Sequence, residues 1–189
     1  MLLQKLCNKI LFDWMGWKQE VNQHRPNKCI MCVAPHTSNW DFIIGELYNT
    51  AMGYTSNFLM KKEWFFWPLG SLFSKIGGIP VERSKHCSLT DQLAEKAIAA
   101  EKFSLAVTPE GTRSKVTKWK RGFYFIALKS QIPILLFAID YANKKIVCTQ
   151  TIIPTGSVDE DMRIIMNYYR KFKGKYPEKF SIEDNLFQW

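Results

Sequence analysis

Leu2, Leu3, Leu6, Ile10, Leu11, Trp14 and Met15 open the chain at spacings of three and four, with Gln4, Lys5, Asn8, Lys9 and Asp13 between them. That period predicts an amphipathic helix over residues 2–16. Two readings of the helix stay open: packing on the domain, or an interfacial anchor with Trp14 and Trp17 at headgroup level. A polar loop containing Pro26 follows. Cys29–Ala34 is then an unbroken apolar run bounded by Pro35, which reads as a buried strand. Further strands are expected at 57–60, 79–82, 103–108, 132–139 and 145–152, and helices at 39–52, 88–102, 122–130 and 159–173. The aromatic stretch from Trp64 to Gly70 reads as partly helical and continues to Ile76, where Gly77-Gly78 breaks it. Alternating strands and helices predict an α/β fold. The expectation is a single domain: a mixed, mostly parallel sheet flanked by helices, with residues 1–27 as the N-terminal amphipathic helix and linker and 28–189 as the domain proper.

Composition narrows the class. The longest stretch free of Asp, Glu, Lys and Arg runs from Leu47 to Met60, 14 residues with several polar ones among them. A spanning helix needs about 18–20 apolar residues, so none is expected. The first ten residues hold no apolar core or cleavage site of a secretory signal. Twenty-six basic against 17 acidic residues give +9, which suits nucleic acid, anionic lipid or phosphorylated substrates. Seven Trp and thirteen Phe turn that charge towards a membrane interface. No nucleic-acid motif of known type and spacing is present. Five scattered cysteines fit a reducing compartment. Cys29 and Cys32 have metal or redox spacing, but a strand sends residues three apart to opposite faces. They are read as buried structural residues, and no metal site is expected.

Four segments carry candidate chemistry. His36 and Asp41 stand five apart in Pro35-His36-Thr37-Ser38-Asn39-Trp40-Asp41. A carboxylate on one imidazole nitrogen would fix the tautomer and raise the basicity of the other. On a continuous helix the two side chains would diverge by about 140°. They can meet only if His36 lies in the loop before the helix and Asp41 in its first turn. The competing reading makes Ser38 an N-cap and Asp41 its capping partner. The second segment, Gly77 to Ser84, places Arg83 at a strand end, where it could hold a phosphate or simply face solvent. The third, Thr108 to Ser114, gathers Glu110, Gly111, Thr112 and Arg113 into one turn that could offer N–H groups and a guanidinium to an anion. The fourth leads through Lys120 and Gly122 into a helix start, another possible anion site or a solvated charge run.

Together and in this order, the four segments resemble the blocks of the glycerolipid acyltransferase superfamily, typified by 1-acylglycerol-3-phosphate acyltransferases. His36 and Asp41 match its His-x4-Asp block, Gly78 to Arg83 its second, residues 109–114 its Pro-Glu-Gly-Thr-Arg-Ser block, and Pro133 its fourth. Lys120, Gly122 and Ala127 match a stretch between the last two. This chain has Pro35 and Thr108 where the family often has Asn and Phe. The resemblance implies an enzyme of phospholipid biosynthesis, with His36 as general base and Asp41 orienting it. The base would activate an acceptor hydroxyl to attack an acyl-CoA or acyl-carrier-protein thioester, with no cofactor. Arg83, Glu110, Gly111, Thr112, Arg113 and Lys120 would bind a lysolipid or glycerol-phosphate-type acceptor. The expected partner is an anionic membrane surface rather than nucleic acid. The expected place is the cytoplasmic face of the inner membrane, held peripherally or monotopically. The alternative is a non-catalytic basic module that binds membrane or nucleic acid.

Overall fold

In the computed structural model, residues 1–81 and 88–182 are described. Their strands are β1 (Lys18–Val21), β2 (Lys28–Ala34), β3 (Asn57–Lys61), β4 (Gly78–Val81), β5 (Phe103–Val107), β6 (Ile134–Asp140) and β7 (Lys145–Ile152). The helices are α1 (Leu2–Asn8), α2 (Trp40–Met52), α3 (Leu69–Lys75), α4 (Leu89–Ala99), α5 (Gly122–Ser130) and α6 (Val158–Tyr169). One sheet takes all seven strands in the order β1-β7-β6-β2-β5-β3-β4. β6 and β7 pair antiparallel and every other pairing is parallel. This is the α/β architecture that the alternating pattern predicts.

Two apolar layers sandwich the sheet. On one face, Leu93, Phe123, Ile126, Ile165 and Met166 from α4, α5 and α6 pack on Ile30, Cys32, Leu105 and Leu136. On the other, Leu11, Ile44 and Tyr48 pack on Cys29, Met31, Leu135 and Phe137. Cys29 and Cys32 therefore go to opposite faces, as strand geometry requires. The interleaved pattern explains why β2 reads as a continuous apolar run: both of its faces are covered.

The N-terminal segment departs from the expected single α-helix. It is α-helical to Asn8 and widens into a π-helix over Lys9–Trp14, with Met15 N–H donating to the Ile10 carbonyl at 2.9 Å. The wider turn rotates the apolar stripe. Leu11 and Trp17 become buried, while Trp14 stays 69% exposed and Leu2, Leu3 and Leu6 face out. Trp17 is thus a core residue rather than a headgroup-level one. Within the expected polar loop, Lys18–Val21 form β1, an edge strand parallel to β7. No amphipathic alternation marks it, because three of its four residues are exposed.

Parallel pairing decides where chemistry can gather. β5, β2 and β6 lie side by side and run the same way, so the loops after Val107, Ala34 and Asp140 emerge together at one edge of the sheet.

Candidate active site

Pro35 and His36 leave the C-terminal end of β2, and α2 begins at Trp40. His36 therefore lies in the loop and Asp41 in the first helical turn. Their side chains meet: His36 Nδ1 is 3.1 Å from Asp41 Oδ2. The same Oδ2 accepts the N–H groups of Thr37 at 2.8 Å and Ser38 at 2.9 Å, and Ser38 Oγ accepts the N–H of Trp40. The capping reading expected Ser38 at the N-cap, but the helix has Asn39 there, without a side-chain cap. What survives of that reading is the Asp41 contact with the Ser38 N–H, made by the same oxygen that meets His36. The Thr37 and Ser38 N–H bonds fix the loop, and the fixed loop brings the imidazole onto the carboxylate.

Asp41 is buried, its side chain 2% exposed, whereas the His36 side chain is 15% exposed. Four donors converge on the carboxylate: two main-chain N–H groups, the imidazole, and the Tyr141 hydroxyl, which donates to Oδ1 at 2.7 Å. Neither oxygen of this buried carboxylate is left without a partner. With Nδ1 committed to Asp41, Nε2 is the ring nitrogen able to take a proton.

Glu110 is treated differently. Its Oε1 accepts the His36 main-chain N–H at 2.8 Å, and its Oε2 is buried without a partner. Burial pushes this carboxyl up to about 7, against the pull of the His36 N–H and with the Asp41 charge adding to the rise. The carboxyl is turned inward, onto the backbone of the candidate base, and not out towards an acceptor. Its titration has a sign that can be checked. Between about 4.5 and about 7 the folded protein holds a proton that the unfolded chain gives up. Stability should therefore fall as pH rises through that window, by on the order of 3 kcal/mol. Glu110→Gln should flatten this slope in urea melts at the two ends of the window; an unchanged slope would place the titration elsewhere.

Beyond Glu110 the loop after β5 faces solvent. Gly111 has φ +65°, and a Cβ there would lie 2.7 Å from Lys120 Cε. Glycine lets the Lys120 side chain lie across the turn. Thr112 and Arg113 are exposed beside it. Thus His36, Asp41 and Glu110 come together directly, Lys120 lies against Gly111 in the next turn, and Thr112 and Arg113 are exposed residues of the same loop. Arg83 lies outside the described residues, as do His86 and Cys87. Arg121, just before α5, is paired with Asp159 at 2.7 Å.

Tyr141 is the contact that the sequence does not announce. It stands 100 positions from Asp41, and only the parallel pairing of β2 with β6 brings it near. Among the described residues, no three His, Cys, Asp or Glu side chains cluster so as to hold a metal. Among them, too, no helix is long and apolar enough to cross a membrane.

Residues 18–140 match the sequence model of the family described as Acyltransferase. The chain is 34% identical over 83 residues to a 1-acyl-sn-glycerol-3-phosphate acyltransferase of Cocos nucifera, covering 41% of this chain and 27% of that protein. It is 35% identical over 81 residues to its counterpart in Limnanthes alba, covering 40% of this chain and 29% of that protein. These matches span less than a third of the plant proteins' length. Among solved structures, the 1-acyl-sn-glycerophosphate acyltransferase PlsC of Thermotoga maritima superposes with a TM-score of 0.57 at 19% identity. That superposition covers 92% of this chain and 80% of that one, and establishes a shared fold.

Proposed function

The chain belongs to the acyltransferase family, and we propose that it moves a fatty acyl group from a thioester to the hydroxyl of a lysolipid or glycerol-phosphate-type acceptor at a membrane surface. The observation that carries this reading is the His36 Nδ1–Asp41 Oδ2 pairing, which leaves Nε2 of a partly exposed imidazole as the base.

The chemistry follows from that geometry. His36 Nε2 removes the proton from the acceptor hydroxyl as its oxygen bonds to the thioester carbonyl carbon. Asp41 stabilises the imidazolium that forms. The tetrahedral intermediate collapses, the carbon–sulfur bond breaks, and the imidazolium proton goes to the departing thiolate. The products are an ester and a free thiol, with no acyl-enzyme between them. Arg113 and Lys120 offer positive charge to an acceptor phosphate and Thr112 a hydroxyl, and the family pattern assigns Arg83 the same task. The donor is an acyl-CoA or an acyl-carrier protein.

Action at a membrane surface draws support from one layer of helices. α1 packs on α2, and α2 and the π-helix that continues α1 pack on the same sheet face. Phe42 of α2 meets Phe58 of β3 with ring centroids 5.0 Å apart, so this layer extends towards the β4 edge. It exposes Leu2, Leu3, Leu6, Trp14, Trp40 and Ile43, and the segment beside it exposes Trp64, Phe66 and Trp67. Lys5, Lys9 and Lys75 are exposed among these apolar groups. Trp and Leu interleaved with Lys suit an anionic interface.

The direct test offers labelled acyl-CoA or acyl-carrier protein with a panel of lysolipids in anionic vesicles, and identifies the ester formed. Salt-sensitive vesicle binding without turnover would support the non-catalytic binding module instead. Because Leu11 and Trp17 are core residues, truncating the N-terminus would open the fold. Substitution at exposed positions is the cleaner probe. Changing Leu2, Leu3 and Leu6 together to Gln should lower vesicle partitioning at least ten-fold, since each leucine buried at the interface contributes on the order of 1 kcal/mol. Unchanged sedimentation with vesicles would remove α1 from the membrane contact.

A further inference from the structure

We propose that Tyr141 is a positioning residue for this reaction: its hydroxyl donates to Asp41 Oδ1 at 2.7 Å and locks the carboxylate that orients His36. The proposal rests on the roles assigned above to His36 and Asp41. It goes beyond them in adding a third member, the first residue after the stretch that the family model matches.

The carboxylate needs such a lock. Its Oδ2 serves three donors at once, Thr37 N–H, Ser38 N–H and His36 Nδ1. Rotation about the Cβ–Cγ bond would exchange the two oxygens and drag Oδ2 out of that triple contact. A donor on Oδ1 opposes the rotation. A phenol suits this place better than a lysine or arginine. It supplies one neutral donor and leaves the negative charge of Asp41 facing the imidazole. Burial and the Asp41 carboxylate both push the Tyr141 hydroxyl above its ordinary value, so it remains a donor at any working pH.

Tyr141 is itself held from three sides. It follows the last residue of β6 and so inherits the register of the sheet. The Trp17 ring meets its ring edge-on, with centroids 5.2 Å apart and planes at 85°. Its main-chain N–H donates to the Lys173 carbonyl at 3.0 Å. The segment around Lys173 also reaches the catalytic loop. A Cβ on Gly174 would lie 2.6 Å from Thr37 Oγ1, and Tyr176 N–H donates to that oxygen at 3.2 Å. The residues after α6 therefore clamp both Tyr141 and the loop that carries His36. A phenol held this firmly can hold its partner in turn.

Tyr141→Phe keeps the ring against Trp17 and the main-chain bond to Lys173, and removes only the donor. The expected result is a kcat lower by about ten-fold with KM for both substrates within about two-fold, as befits a group acting on the base and not on a ligand. The acid limb of the pH–rate profile should move to higher pH. With Oδ1 unpaired, more of the negative charge of Asp41 faces the imidazolium and holds its proton harder. In a His36→Ala background, where no imidazole is left to be positioned, the same change should cost nothing further. A merely structural tyrosine would lower Tm, leave the acid limb in place, and cost the same in both backgrounds. That outcome, or wild-type kcat in Tyr141→Phe, would overturn the proposal. Should Tyr141→Phe fold poorly, 3-fluorotyrosine at position 141 keeps the shape and strengthens the donor. It should move the acid limb the opposite way, and an unmoved limb would overturn the proposal equally. The His36 Nδ1–H proton resonance, which should shift in either variant, reads the coupling without turnover. It separates failure of this inference from failure of the acyl-transfer reading.

Discussion

Asp41→Asn is expected to lower kcat by roughly 10²–10⁴-fold while the protein still folds. An amide is close in shape to the carboxylate, and this site dictates how it must sit. Three N–H donors point at the Oδ2 position, so the amide oxygen belongs there. The NH2 then faces Tyr141, whose hydroxyl can turn from donor to acceptor. The bonds from the Thr37 and Ser38 N–H groups therefore survive and only the charge is lost. Imidazolium formation during proton transfer loses its counter-charge, so the loss should fall on kcat with KM little changed. Asp41→Ala would behave otherwise. It leaves the Thr37 and Ser38 N–H groups unpaired and adds a stability cost of about 1–3 kcal/mol for each buried donor. If Asp41→Asn instead raised KM and spared kcat, Asp41 would belong to substrate binding and not to the base.

The double duty of Asp41 also marks how far the sequence can be read. His36 and Asp41 were legible as a pair, along with the condition that they meet only across a loop–helix junction. The competing cap was legible too. What could not be seen was that the helix starts one residue later, with Asn39 at its N-cap, and that one Asp41 oxygen takes the Thr37 and Ser38 N–H groups as well as the imidazole. The alternation of strands and helices predicted the α/β class, and several elements fell where periodicity placed them, among them α5 and β7. β1 was missed because an exposed edge strand of four residues carries no burial pattern. The π-helix at Lys9–Trp14 was missed because periodicity assumes 3.6 residues per turn, and the wider turn changes which tryptophan enters the core.

Glu110 and Tyr141 show the same limit at the site. A glutamate in a turn with Gly, Thr and Arg reads as part of an anion-binding loop, and only the β2–β5 pairing reveals that its carboxyl faces inward onto His36. Tyr141 follows β6 with no motif around it, and its contact with Asp41 exists because β6 is the other neighbour of β2. Both residues reach the base through long-range strand pairing, the kind of information that local sequence carries least.

The central claim is that His36 acts as the base of acyl transfer. The measurement closest to it compares wild type with His36→Ala, using a labelled acyl thioester and lysophosphatidate in anionic vesicles and following ester formation at saturating substrates. His36 is partly exposed, so its truncation should leave the fold intact; the Glu110 carboxyl bonds the backbone at position 36, not the imidazole. The predicted result is ester formed by wild type and a rate lower by roughly 10²–10⁴-fold in His36→Ala. Equal turnover by the two proteins would contradict the account.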